Sequence, residues 1–265
     1  DGDPYYYYKA SGAISSDIDL YFDGEGYLEV TSKNKEGIET KGNMEFLGGK
    51  GDYTIYAEDD CLNTTTDDRE INNARNTLTI DVNSLTAIVS LEADEGDAID
   101  SNGTLIINGG RIIALAKPGQ DAGIDSEKGT FINGGTVLAT GDMMDEISSE
   151  SKQTFTILSF RERPTENMLI TLLDENDNVI MSYKTDRKYT NLVFSSDDLD
   201  EGTYYLYKDG DVIGTDNYGF YSDIESYTKG TQQGYSSSGN QNGMPNGNPQ
   251  DGNFNPNDGN MTPPN

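Results

Sequence analysis

Two short stretches carry the side chains best placed to do chemistry: Asp97-Ala98-Ile99-Asp100 and Asp121-Ala122-Gly123-Ile124-Asp125. Each sets carboxylates on both flanks of a short uncharged stretch that ends in isoleucine. The second repeats the first, with Asp97 lying 24 residues before Asp121 and Asp100 lying 25 before Asp125. Asp142 and Asp145 read as a continuation of that column, and Asp59-Asp60 precedes Cys61-Leu62 in the same manner. Carboxylates at such offsets are oxygen donors for a hard cation. Pairs of them also serve as the acid and base of glycoside hydrolysis, but carboxylates are so abundant here that this signal is nonspecific.

A repeat fixes the offset. Ile99 to Ile124 is 25 residues, and so is Gly109 to Gly134. Ten residues separate Ile38 from Gly48, Ile99 from Gly109 and Ile124 from Gly134. Short β-branched runs closed by Gly-Gly at a fixed period describe a solenoid, in which each unit buries its apolar face by stacking on its neighbours. The expected inner column is Ile38, Leu62, Ile99, Ile124 and Ile147, with Thr64 to Asn76 inserted as a loop in one coil. Asn108 and Asn133, one period apart, are expected to form an amide ladder. Cys61 falls where other units place Ala98 or Gly123, so it reads as a small packed residue. Before the repeat, Asp17 to Val30 alternates, with Ile18, Leu20 and Phe22 on one side, and Tyr5-Tyr6-Tyr7-Tyr8 reads as an N-terminal strand or cap rather than a sugar-stacking platform.

Coils of a β-helix rise by about 4.8 Å, the spacing of neighbouring strands. Two unit charges that far apart repel by about 1 kcal/mol in water and by about 3.5 kcal/mol at an effective dielectric of 20. A stack of uncompensated carboxylates would weaken a thin-cored fold. Ca2+ removes the penalty, because it takes 6 to 8 oxygens at roughly 2.3 to 2.6 Å in flexible geometry. The expected ligands are Asp97, Asp100, Asp121 and Asp125, with Asp59, Asp60, Asp142 and Asp145 as second choices. The bland alternative is that these acids are solvated turn residues. Neither an EF-hand nor a Gly-Gly-x-Gly-x-Asp pattern is present.

Composition excludes whole classes of function. Eighteen basic against 47 acidic residues give a formal charge of −29, which repels nucleic acid and anionic membranes. With no histidine, His-dependent triads and HExxH zinc sites are ruled out, and one cysteine permits no internal disulfide. No apolar run is long enough for a membrane-spanning helix. The sequence contains no signal peptide, and its acidic start at Asp1 reads as a mature protein or a fragment.

Beyond Arg161 the period stops, and strands alternate with Asn/Asp/Gly turns as in antiparallel hairpins that cap the last coil. The expected fold is all-β: a right-handed parallel β-helix over 1–160, an antiparallel β cap over 161–228, and a disordered Gly/Asn/Pro-rich tail over 229–265.

The repeated Asp-Ala-Ile-Asp and Gly-Ile-Asp-Ser turns, each followed by an apolar run ending in Ile-Asn-Gly-Gly, resemble a clostridial family of calcium-binding, carbohydrate-binding β-helix domains. Leu192 to Leu199 and Gly202 to Tyr207 are similar to its C-terminal part. The chain departs from the family at the Thr64 to Asn76 insertion, in lacking further N-terminal coils, and at Glu39 and Asn63 in turn positions. The resemblance implies a pectate-lyase-like fold and a non-catalytic, calcium-dependent binder of acidic polysaccharide such as polygalacturonate, located outside the cell or on its surface. Two other readings stay open. A polysaccharide lyase would need a Lys or Arg base beside calcium, and Arg111, Lys117 and Lys128 are the basic residues of the two clearest coils. A structural stalk or adhesin would use calcium for stability alone.

Overall fold

The computed structural model describes residues 11–66, 75–143 and 147–238. The Tyr5 to Tyr8 run lies outside them. Among the described residues every regular element is a strand, and parallel strands stack into a solenoid of about five turns, followed by an antiparallel sheet.

Each coil opens with a short strand of three to five residues and continues through the strands of the other wall. The first holds β1 (Gly12–Ser16), β2 (Leu20–Asp23) and β3 (Gly26–Thr31), and the second β4 (Glu36–Thr40), β5 (Met44–Leu47) and β6 (Gly51–Ala57). In the third and fourth the strands of that wall run on continuously, giving β7 (Leu62–Thr64) with β8 (Thr77–Val89) and β9 (Ile99–Ser101) with β10 (Thr104–Leu115). The fifth holds β11 (Ile124–Ser126), β12 (Thr130–Ile132) and β13 (Thr136–Gly141). The short strands form one sheet in the order β1-β4-β7-β9-β11, and the remaining strands of the coils form the other wall.

The register confirms the inner column from Ile38 to Ile124 and extends it. Ile14 pairs with Ile38, Ile38 with Leu62, Leu62 with Ile99, and Ile99 with Ile124. The solenoid therefore begins one coil earlier than Gly37. That coil is hard to recognise because its corner is Gly24-Glu25-Gly26 instead of Gly-Gly and its second strand starts only at Leu20, which leaves Ile18 74% exposed in a turn. The 64–76 insertion does not disturb the register. Asn76 closes its base, donating through Nδ2 to the carbonyls of Thr65 and Lys41.

Inside, Ile38, Phe46, Leu62, Leu78, Ile80, Ile99 and Ile107 are fully buried, and the Phe22 ring stacks on Phe46 at 4.6 Å. The Gly-Gly corners are a steric requirement. Gly110 and Gly135 have φ of 104° and 91°, and a Cβ on Gly135 would lie 2.4 Å from the Gly110 carbonyl oxygen. The expected amide ladder beside them is present, with Asn133 Nδ2 donating to Asn108 Oδ1 at 2.9 Å.

The end of the solenoid differs from a further parallel coil. Ile147 is buried but bridges Thr130, not Ile124. β14 (Phe155–Ser159) does not lie on β13; β17 (Asn191–Ser195) inserts between them, antiparallel to both. A parallel sheet ends on a row of unpaired backbone groups, and β17 covers that row with a strand from the C-terminal region.

The remaining strands, β15 (Leu169–Leu173), β16 (Val179–Lys184), β18 (Gly202–Lys208), β19 (Asp211–Asn217), β20 (Phe220–Thr228) and β21 (Thr231–Ser238), form an antiparallel sheet in the order β19-β20-β16-β15-β18-β21. Strand structure thus continues past 229, where the tail was expected to begin, because β21 pairs along β18 through backbone bonds that need few apolar side chains. This region packs on the outside of the solenoid. Ile112, Ala114 and Val137 face the inner core, while Ile113, Leu115 and Leu138 join Leu158, Leu172, Tyr183 and Phe194 in a second core. Burial on both faces explains why these strands read as continuous apolar runs.

Arg187 joins the two parts. It is 3% exposed, and its Nη1 donates to the carbonyls of Val89 (2.9 Å), Leu115 (3.2 Å) and Ala116 (3.0 Å), which belong to two successive coils.

Candidate functional site

The short-strand sheet builds the site. In β9 and β11, Ile99, Ser101, Ile124 and Ser126 are buried and point inward, so Asp100 and Asp125 point out. They stand in register with one another on adjacent strands, and Asn63 and Glu39 occupy the same position on the two preceding coils. Asp97 enters from the turn before β9. Carboxylate oxygens of Asp97, Asp100 and Asp125 all lie within 4.8 Å of one another.

The backbone holds this cluster in place. Asp97 N donates to Asp60 Oδ1 at 2.8 Å, and Ala122 N donates to Asp97 Oδ1 at 2.5 Å, so each acid receives an amide from the coil above. Given the pairing of Ile99 with Ile124, Ala122 rather than Asp121 lies opposite Asp97. Asn63 Nδ2 donates to Asp60 Oδ2. The other amide atom, Asn63 Oδ1, is buried with no hydrogen-bond partner.

The electrostatics are those of an uncompensated stack. Burial, and then the charges of Asp60, Asp97 and Asp125, push Asp100 up to about 9. Burial pushes Asp97 to about 8, against the opposing Ala122 amide and with help from Asp60, Asp125 and Asp121. Asp60 is raised to about 7 by burial above all, and Asp125 is raised by burial and by Glu127. Carboxyls in this condition accept a proton or a cation, since either removes the mutual repulsion.

Of the eight sequence candidates, Asp97, Asp100 and Asp125 converge, with Asp60 adjoining them through the Asp97 amide. Asp121 acts on Asp97 through its charge, while its carbonyl receives the amides of Asp142 and Met143. Asp59 is ion-paired with Lys35 at 2.6 Å. Asp142 does not continue the column: its carboxylate accepts from Gly119 N and Thr190 Oγ1 and pairs with Arg163 at 3.2 Å, at the junction with the C-terminal region. Asp145 lies outside the described residues. Asn63 was treated as a departure at the sequence level, and the structure makes it part of the cluster. Its signal was the spacing, for it follows Leu62 as Asp100 follows Ile99.

The basic residues are placed elsewhere. Arg111 lies on β10, in the other wall, where its charge acts on Asp52. The Lys117 amine donates to the Ala93 carbonyl, and Lys128 is exposed in the turn after β11. Cys61 is fully buried and its thiol is pushed up by desolvation, as suits a packed residue.

No curated protein and no solved structure matches the chain. A family model described as carbohydrate-binding domain-containing protein matches residues 1–160. That span holds the solenoid coils and the whole acidic cluster, and since it covers more than half of the sequence, the chain belongs to the carbohydrate-binding domain-containing protein family.

Proposed function

We propose that this protein binds an acidic polysaccharide of the polygalacturonate type, without cleaving it, through Ca2+ held by Asp97, Asp100 and Asp125. The observation that carries this reading is their convergence within 4.8 Å. Two oxygens on opposite sides of a calcium ion are about 4.8 Å apart, twice a bond length of roughly 2.4 Å, so three oxygens inside that limit fit one coordination sphere. The donor set is also right in kind, being all oxygen and containing no nitrogen or sulfur ligand. Asn63 Oδ1, buried without a partner beside Asp60, is a further oxygen of the same class.

Bound there, calcium supplies positive charge and coordination positions for uronate oxygens on a surface that otherwise repels them. The chain's own residues do the rest. Register sets Asp100 against Asp125, and the Ala122 amide orients Asp97. The placement of Arg111 in the opposite wall favours binding over elimination, which requires a base next to the metal-bound uronate. An acidic glycan partner in turn fits a location outside the cell or on its surface.

The second reading, a structural calcium staple, draws on the Asp97–Ala122 and Asp100–Asp125 contacts, since an ion there would tie the fourth coil to the fifth. One experiment separates the two. Polygalacturonate retention is measured with calcium, with EDTA, and for an Asp97→Ala/Asp125→Ala double variant whose fold is checked by circular dichroism. Retention in calcium that is lost in EDTA and in the folded variant, with no ultraviolet-absorbing unsaturated product, is the expected result. No retention under any condition, with calcium still raising the melting temperature, would leave the staple and sink the glycan reading.

A further inference from the structure

In a chain of formal charge −29, three cationic side chains meet in one depression. Arg161, Arg163 and Lys208 line a cavity of about 140 Å³ at the seam where the chain leaves β14 and meets β15 and β18. Phe160 and Met168 give it an apolar side, Gln233 adds an amide, and Glu162 is the one carboxylate in the lining. The Arg163 guanidinium is anchored by Asp142, whose side chain is 4% exposed, yet the Arg163 side chain itself stays 45% exposed. This place is unlike the acidic cluster in sign, in position and in the part of the chain that builds it.

We infer that the seam cavity is a calcium-independent subsite for a single uronic acid residue. The carboxylate is received by Arg161 and Lys208, and the sugar ring lies along Phe160 and Met168. The charge argument is local. An anionic ligand is repelled by the molecule's overall field, and a cluster of guanidinium and ammonium groups offers it a well of opposite sign. Arginine's forked donors match a carboxylate, giving charge-assisted bonds about twice as strong as neutral ones. The size argument limits the ligand, because pockets for drug-sized molecules begin at roughly 300 Å³, so this cavity takes one ring and not a run of sugars. That the ring is a sugar rests on the family membership; nothing in the inference depends on calcium at Asp97, Asp100 and Asp125.

The test uses the whole chain in EDTA and again in calcium, titrated with D-galacturonate, with galactose and with inorganic phosphate, and followed by NMR. In EDTA galacturonate is expected to saturate at the seam cavity alone, in calcium the signals of the seam residues should report the same Kd beside any binding at the acidic cluster, and galactose should show no saturation. Arg161→Gln and Lys208→Gln should each weaken galacturonate about tenfold, the loss of one charge-assisted hydrogen bond, with circular dichroism unchanged. Galacturonate binding that vanishes in EDTA from a folded protein, or that ignores both substitutions, would overturn the subsite. Phosphate binding as tightly as galacturonate would overturn the sugar assignment and leave a plain anion patch. Failure of polygalacturonate retention in calcium while galacturonate still binds would count against the calcium reading alone.

Discussion

Asp100 and Asp125 stand side by side in the register of two adjacent parallel strands, and burial holds both carboxyls above the ordinary carboxylate range. Such a contact lowers stability unless something neutralises it, and that sets the expected response to pH and, on the proposed calcium reading, to metal.

Without metal, stability should fall as pH rises from about 4 to about 9. Asp60, Asp97 and Asp100 hold protons in the folded state up to about 7, 8 and 9, while their unfolded counterparts lose them near the ordinary aspartate value of 3.8. The folded state binds more protons throughout that window, so each rise in pH favours unfolding. On the proposed calcium reading the ion takes the place of the protons, and its stabilising increment should grow from pH 5 to pH 9. Melting curves in EDTA and in calcium across this range check the prediction. A calcium increment that shrinks with pH would contradict it.

Asp100→Asn should have opposite effects in the two conditions. In EDTA at pH 9 it removes a buried charge and should raise the melting temperature by ~2–4 °C, the equivalent of about 1 kcal/mol for a chain near this size. In calcium it removes a proposed ligand, and most of the metal's increment should be lost. The neutral amide is tolerated at this level already, since Asn63 occupies the neighbouring rung. Calorimetry on the variant at pH 5 and pH 9 reads both effects, with little change expected at pH 5 in EDTA.

Arg187→Met should destabilise by at least about 3 kcal/mol, because three buried carbonyls lose their donor at ~1–3 kcal/mol each. Lysine, a point charge with no fork, should restore little of it. Urea unfolding gives the number, and a loss under 1 kcal/mol would show that the guanidinium is not the joint between solenoid and cap.

Gly110→Ala should cost more than Gly24→Ala. Both glycines have left-handed φ, 104° and 113°, so both substitutions carry conformational strain of about 1–3 kcal/mol. Only at Gly110 would the new Cβ also lie 2.5 Å from a neighbouring carbonyl, that of Val82, whereas Gly24 has nothing within 4 Å. Equal losses in thermal unfolding would argue against a stacked corner.

Period alone was enough to place the column Ile38, Leu62, Ile99 and Ile124, because in a solenoid each residue's neighbour is a fixed number of positions away and spacing is already geometry. The same logic marked Asp97, Asp100 and Asp125. It slipped by one residue where a turn changes length: Ala122, not Asp121, faces Asp97, and only the backbone pairing records that shift. Spacing could not find β1, whose Gly12-Ala13-Ile14-Ser15 lacks the flanking acids, nor take Asn63 into the cluster once Asp was made the criterion.

Where the period ends, so does what linear order can say. That β17 slides between β13 and β14, that Ile113 and Leu138 face a second core, and that Arg187 crosses to carbonyls of two coils all depend on contacts between residues far apart in the chain. So does the meeting of Arg161 with Lys208 at the seam. The sequence by itself determined the stacked coils and their acidic turns, because local spacing repeats there. The capping of the open sheet edge and the charge of the seam cavity were settled by tertiary packing, where exposed strand edges and outward apolar faces select partners that no period encodes.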